Sequence, residues 1–166
     1  MKVVVFSDAH GNKEAVKRII EFNPDAGYVI SLGDSELKHS FLLDLDIVAI
    51  KGNYPRDGGF AYESILELEG KRLFLTHGHK YGVSTDMRKL LAKGMETEVD
   101  VVLYGHTHVP KFDNVAGVFY LNPGSIVSQR SNTAPSYLIL NIERGKDVTY
   151  MFREAQTNLL IEKLKK

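Results

Sequence analysis

The chain has 166 residues, enough for one domain with a substantial core. Lysine plus arginine and aspartate plus glutamate number 21 each, so the formal charge is zero, which removes any bulk electrostatic signal for nucleic acid or an anionic membrane. With 43% hydrophobic and 25% charged residues the composition excludes wholesale disorder, and the absence of cysteine excludes disulfides, cysteine-based zinc fingers, iron–sulfur clusters and a thiol nucleophile.

Residues 2–6 (KVVVF) form a short unbroken apolar run, the pattern of a strand buried on both faces. The run is too short for a signal peptide, and nothing approaches the ~18 apolar residues of a membrane span. With the lack of cysteine, this predicts a cytoplasmic protein. After a polar turn, Ala15, Val16, Ile19 and Ile20 fall on one face of a predicted helix; Asp8 and Asn12 both precede it and either could cap it. Residues 27–32 and 47–50 read as further buried strands, with a short helix over 36–44 between them. This βαβα opening implies a parallel sheet.

Residues 60–70 and 71–77 look like two strands joined at Gly70-Lys71. A helix is expected over 85–94, with Met87, Leu90 and Leu91 inward and Gly94 near its end. Residues 100–106 read as a buried strand, and 111–122 as a hairpin around Ala116-Gly117. A second hairpin turns at Arg144-Gly145-Lys146; its first strand is apolar on both faces, which suggests a strand inside a sandwich. Residues 156–166 could be a short helix or could fray. No linker or repeat divides the chain, so 1–166 is expected to be a single α/β domain: a two-sheet β-sandwich flanked by helices.

Five short motifs each sit where a predicted buried strand ends: Asp8-Ala9-His10, Gly33-Asp34, Gly52-Asn53, His77-Gly78-His79 and Gly105-His106-Thr107-His108. Strand carboxyl ends share an edge in α/β sheets, so these polar groups can converge. Five of the six histidines fall in these motifs. Singly each has an ordinary reading as a cap, a turn residue or a solvated histidine; jointly they form a set of oxygen and nitrogen donors suited to Mn, Fe, Co, Ni or Zn. The alternation of extended chain would aim both members of Asp8-x-His10 and of His106-x-His108 the same way. Seven donors exceed the needs of one zinc-type site and match those of two.

In this order and spacing the five motifs resemble the calcineurin-like metallophosphoesterase superfamily. The small size and Asn122-Pro123-Gly124-Ser125 look most like its YfcE-like phosphodiesterase branch. The resemblance implies a four-layer αββα architecture and two divalent transition metal ions, manganese first, with iron, nickel, cobalt or zinc as alternatives. It implies that Asp8, His10 and His108 hold one metal, that Asn53, His77 and His106 hold the other, and that Asp34 bridges them. Such a site, with about one net positive charge, would draw a small phosphate ester to a metal-bridging hydroxide that attacks phosphorus in line, without a phosphoenzyme.

The sequence departs from the pattern after Asn53. Many members follow Gly-Asn with His-Asp, His-Glu or Cys-Asp; here Tyr54, Pro55, Arg56 and Asp57 follow. The histidine that protonates the leaving group in some branches is missing. His79 is the catalytic candidate in its place; alternatively no general acid exists and only good leaving groups react quickly. Arg56, Lys80 and Arg130 are candidates to contact substrate phosphate. The rival functions are phosphomonoester hydrolysis at the same site and a non-catalytic scaffold like the retromer subunit. A homo-oligomer is possible, while neutral charge argues against nucleic acid as partner.

Overall fold

The computed structural model describes residues 1–56, 59–127 and 134–161. Strand β1 (Lys2–Phe6) is followed by helix α1 (Lys13–Glu21), β2 (Tyr28–Ser31), α2 (His39–Asp44) and β3 (Ile47–Ala49). Then come β4 (Glu63–Leu68), β5 (Lys71–Thr76), a 3-10 turn (His79–Tyr81), α3 (Arg88–Glu96) and β6 (Val101–Leu103). Strands β7 (Pro110–Val115), β8 (Val118–Pro123), β9 (Ser136–Asn141) and β10 (Thr149–Glu154) complete the described chain.

The strands form two five-stranded sheets, ordered β10-β9-β1-β2-β3 and β4-β5-β6-β8-β7. Strands β1, β2 and β3 run parallel, as the opening pattern implies, and so do β5, β6 and β8. Hairpins add antiparallel strands outside each parallel trio.

The alternation of side chains explains why so many strands are apolar on both faces. Val3 and Val5 of β1 enter a central layer with Ile30, Leu73, Leu103, Leu138 and Leu140. Val4 and Phe6, one residue out of phase, pack with Val16 and Ile19 of α1, Leu42 of α2 and Ile139 of β9. On the far side of the second sheet Phe74, Val102 and Tyr120 pack against Leu90 of α3. Three apolar layers therefore separate four layers of secondary structure, helix, sheet, sheet and helix, which is the fold expected from the sequence.

Several strands are shorter in ladder pairing than the apolar runs that predict them, because their last residues turn away into loops. Leu32 still donates to Phe6 O (2.9 Å) and Tyr104 to Leu121 O (3.0 Å) before the chain departs. Asn12, not Asp8, caps α1, its side chain accepting from Ala15 N at 3.0 Å. Residues 155–157 form a turn and Leu160 bridges Arg153, so no helix covers 156–161; residues 162–166 lie outside the described residues. Among the described residues no helix is long and apolar enough to cross a membrane.

Helix α3 starts later and runs two residues further than expected, so that Gly94, near its end as expected, lies inside its last turn. The reason is packing. A Cβ at Gly94 would stand 2.5 Å from Tyr120 Oη and 2.8 Å from Val102 Cγ2, and Tyr120 itself is fully buried and donates to Leu91 O at 2.8 Å. Gly94→Ala sets a helix-propensity gain of about 1 kcal/mol against an overpacking cost of about 1–3 kcal/mol. The contact wins: the variant should unfold at lower urea with unchanged slope. Equal or greater stability would show that the helix-to-sheet contact yields.

Candidate metal centre

The five motif loops leave the carboxyl ends of β1, β2, β3, β5 and β6. Backbone hydrogen bonds continue the sheet into them: Asp8 N donates to Gly33 O (3.1 Å), His10 N to Asp34 O (3.2 Å) and Gly105 N to His77 O (3.2 Å). The two sheets are joined at this edge by His106 N, which donates to Asp8 Oδ2 at 3.1 Å.

Two side-chain clusters result, and Asp8 belongs to both. In the first, His108 Nε2 lies 3.2 Å from Asp8 Oδ1 and 3.2 Å from His10 Nε2. In the second, His77 Nε2 stands 3.5 Å from Asp34 Oδ2, 3.9 Å from Asp8 Oδ1 and 3.1 Å from Asn53 Oδ1. The His106 ring packs edge-on against His77 with centroids 5.2 Å apart. All seven predicted donors therefore gather at one edge. The close triads are Asp8, His10 and His108, and Asp8, Asp34 and His77; Asn53 and His106 adjoin the second.

The donors converge by a different route from the one expected. Asp8 (φ 55°), His10 (φ 43°), His106 (φ 70°) and His108 (φ 59°) are left-handed, as are Asp34 and Glu36, so neither His motif is extended chain. Non-glycine residues in this region are strained by about 1–3 kcal/mol each, and such outliers concentrate at functional sites. At Gly52 the backbone passes so close to Asp34 that a Cβ would overlap its Oδ1 and come 2.5 Å from its backbone N.

Asp8 is 1% exposed in its side chain, His77 0% and Asp34 8%. Burial pushes the Asp34 carboxyl up, but the His77 hydrogen bond and charge and the Tyr54 amide outweigh it and hold the group at about 2. Burial likewise opposes ionisation of Asp8, yet its partners His108 and His77 bring it below the usual carboxylate range. Burial pulls His77 down, but Asp34 and Asp8 together raise it above 6.5. His79, whose ring lies 5.4 Å from that of His77, is lowered by burial and by the charges of His77 and His106.

Asp8 Oδ1 is buried and takes no hydrogen bond. A buried carboxylate oxygen facing imidazole nitrogens without a donor fits a cation. The outer contacts fit as well. His77 Nδ1 is 2.7 Å from Leu32 O, and His10 Nδ1 is 2.7 Å from Glu36 Oε1. With Nδ1–H donating in each, both Nε2 lone pairs face the clusters, the tautomer that metal ligation requires.

Glu36 was not among the predicted site residues, since nothing in the sequence sets it apart from a solvated loop carboxylate. Asn122 and Ser125 act from behind the site. Asn122, fully buried, donates to Gly105 O (2.8 Å) and Thr107 Oγ1 (3.1 Å), and Ser125 Oγ donates to Asp8 O (2.8 Å). Of the candidate phosphate contacts, Arg56 is exposed in the loop after Asn53 and Lys80 follows His79; Arg130 lies outside the described residues.

Comparison with known proteins shows the family to which the chain belongs. The model of the calcineurin-like phosphoesterase superfamily domain matches residues 1–145, and the chain belongs to that superfamily. It is 29% identical over 156 residues to the probable metallophosphoesterase YsnB of Bacillus subtilis (strain 168), covering 93% of this chain and 92% of that one. It is 27% identical to the phosphodiesterase YfcE of Escherichia coli (strain K12) over 175 residues, covering 85% and 88%. A predicted phosphoesterase from Streptococcus pneumoniae TIGR4 superposes with a TM-score of 0.90 at 28% identity, covering 99% and 95%. The zinc complex of Vps29 from Entamoeba histolytica shares the fold, with a TM-score of 0.79 at 23% identity, covering 96% of each.

Two outcomes follow. Glu36→Ala should weaken metal binding about 10–100-fold by releasing the His10 ring, with Glu36→Gln intermediate, as read by calorimetric titration with manganese; unchanged affinity would remove Glu36 from the site. In metal-free protein, stability carried by Asp34 is present above its ordinary 3.8 and lost as pH falls towards about 2. Stability carried by protonated His77 is full below 6.5 and lost as pH rises through its raised value. With chelator, Tm should therefore decline above pH 6.5, and His77→Asn should flatten that decline. With excess manganese Tm should instead rise across the same range, because metal competes with protons; a metal-free Tm that climbs there would contradict the assignment.

Proposed function

We propose that this protein is a dinuclear metal-dependent phosphodiesterase acting on small phosphodiesters. The observation that carries the reading is the gathering of Asp8, His10, His108, Asp34 and His77 into two clusters that share Asp8, whose buried Oδ1 takes no hydrogen bond, with Asn53 and His106 beside His77. Asp8, His10 and His108 would hold one cation, and Asn53, His77 and His106 the other, with Asp34 between them. The donors are carboxylate, amide and imidazole, with no thiolate, which suits manganese first and iron, cobalt, nickel or zinc as alternatives. Two divalent cations bound there would lower the pKa of a shared water and neutralise the charge that develops on the phosphoryl oxygens.

The chain's own groups supply position and proton control. The loops around Asp8, Asp34 and His106 fix the donors in place through the shared backbone ladder, so little reorganisation is needed when a substrate arrives. His79 stands beside His77 and His106 with its Nδ1 buried and unbonded. Its lowered pKa keeps the ring neutral near pH 7, so its remaining N–H would hydrogen-bond the leaving oxygen rather than act as a strong acid. His10, His77 and His108 turn Nε2 to the clusters, which supports direct transfer to water without a phosphoenzyme. The complete donor set supports an enzyme over a non-catalytic scaffold. The lack of cysteine supports a cytoplasmic location.

The test is hydrolysis of bis-p-nitrophenyl phosphate and p-nitrophenyl phosphate with added manganese. The diester should turn over faster, and Asp34→Ala should lower kcat/KM by about 10³-fold or more. His79→Ala should slow hydrolysis of a dialkyl phosphodiester, whose leaving group is an alkoxide, by about tenfold, and that of bis-p-nitrophenyl phosphate by less. Equal or faster monoester hydrolysis would replace the diesterase reading by phosphomonoesterase. An Asp34→Ala variant as active as the parent would end the metal-centre reading.

A further inference from the structure

The mouth of the metal centre carries a second arrangement, formed by residues that donate nothing to the clusters. Tyr62, in the chain leading into β4, is 39% exposed, and its ring lies 5.8 Å from that of His79. Two ammonium groups lie over the Tyr62 ring: Lys80 Nζ at 3.2 Å from its centroid and Lys51 Nζ at 5.2 Å. Among the described residues neither lysine forms an ion pair. Surface lysines ordinarily sample many rotamers, and an aromatic face that holds an ammonium removes part of that freedom in advance of binding.

The backbone under these three residues is anchored. Lys51 N donates to Ala61 O at 2.7 Å, tying the exit of β3 to the residue before Tyr62. Tyr81 Oη donates to Glu63 Oε1 at 2.8 Å, and its ring meets Phe74 edge-on, tying the turn that carries His79 and Lys80 to β4 and β5. Two positive charges from distant parts of the chain are thus fixed beside one aromatic ring at the entrance to the site.

We propose that Lys51, Lys80 and Tyr62 form a subsite for a second phosphate group, so that the favoured substrates are phosphodiesters bearing a further phosphate on the same small molecule. The inference rests on the phosphodiesterase reading above and narrows its substrate class. The His79 ring contacts both Tyr62 and His77, so the ammoniums lie one ring further out than the metal ligands and address a different group of the substrate. Two compact ammonium charges suit a phosphate dianion, which lysine binds as a point charge.

The test uses manganese-loaded protein and two substrates, thymidine 5′-(p-nitrophenyl phosphate) with and without a 3′-phosphate. At low salt the 3′-phosphorylated diester should show a kcat/KM about 5–10-fold higher, and in Lys51→Met/Lys80→Met that ratio should fall below about 2. Calorimetry gives an independent reading: thymidine 3′,5′-bisphosphate should bind about 5–10-fold more tightly than thymidine 5′-phosphate, and the double variant should lose that margin. Equal kcat/KM for the two diesters, or a preference that survives in the double variant, overturns the inference and leaves the phosphodiesterase reading intact. Hydrolysis of neither diester overturns that reading, and the inference with it.

Discussion

Asp8 carries the constraint on which the rest of this structure depends. Its carboxylate is almost wholly removed from water, and one oxygen has no hydrogen-bond donor. A buried anion must be compensated, and the groups within reach are imidazole nitrogens and a second carboxylate, Asp34. Without metal the balance is struck by protons on histidine; in the proposed metal-bound form the same atoms would be ligands. The lowered carboxylates and the raised His77 express one coupling of carboxylate and imidazole charge within a single cluster, for which bound cations would compete with protons.

The fold holds this cluster because it is stiff where the donors are soft. Three apolar layers fix two sheets against each other, and the strands that carry the donors, β1, β2, β5 and β6, lie inside their sheets rather than at the edges, with only β3 at a margin. The loops begin as continuations of those ladders and then pass through left-handed residues that an isolated chain would avoid. Asn122 and Ser125 close the arrangement from behind by bonding to the carbonyls of Gly105 and Asp8. Evidence for the same economy is seen at Gly52, where the absence of a side chain lets Asp34 sit against the backbone.

Much of this was legible in the sequence. Unbroken apolar runs such as KVVVF announced strands buried on both faces, and the two-sheet sandwich with outer helices follows from them. Donor types at the ends of five such runs announced the cluster. The local conformation was not legible: the x in Asp8-x-His10 suggests alternation, whereas tertiary contacts impose left-handed turns. That Gly94 lies near the end of α3 was legible, but its packing role was not, since the proximity of Tyr120 is invisible in a sequence. Glu36 was invisible for a similar reason, since its partner His10 is brought to it only by the pairing of the first two loops. Lys51, Tyr62 and Lys80 come from three separate segments, and no local pattern links them.

The account stands or falls on two cations sharing one edge of the sandwich. Crystals of manganese-loaded protein, measured for anomalous scattering at the manganese edge, test this directly. Two peaks about 3.5–4 Å apart are predicted, one touching Asp8, His10 and His108 and the other Asn53, His77 and His106, with Asp34 in contact with both. A fully loaded crystal with a single peak, or with manganese bound away from these residues, would contradict it.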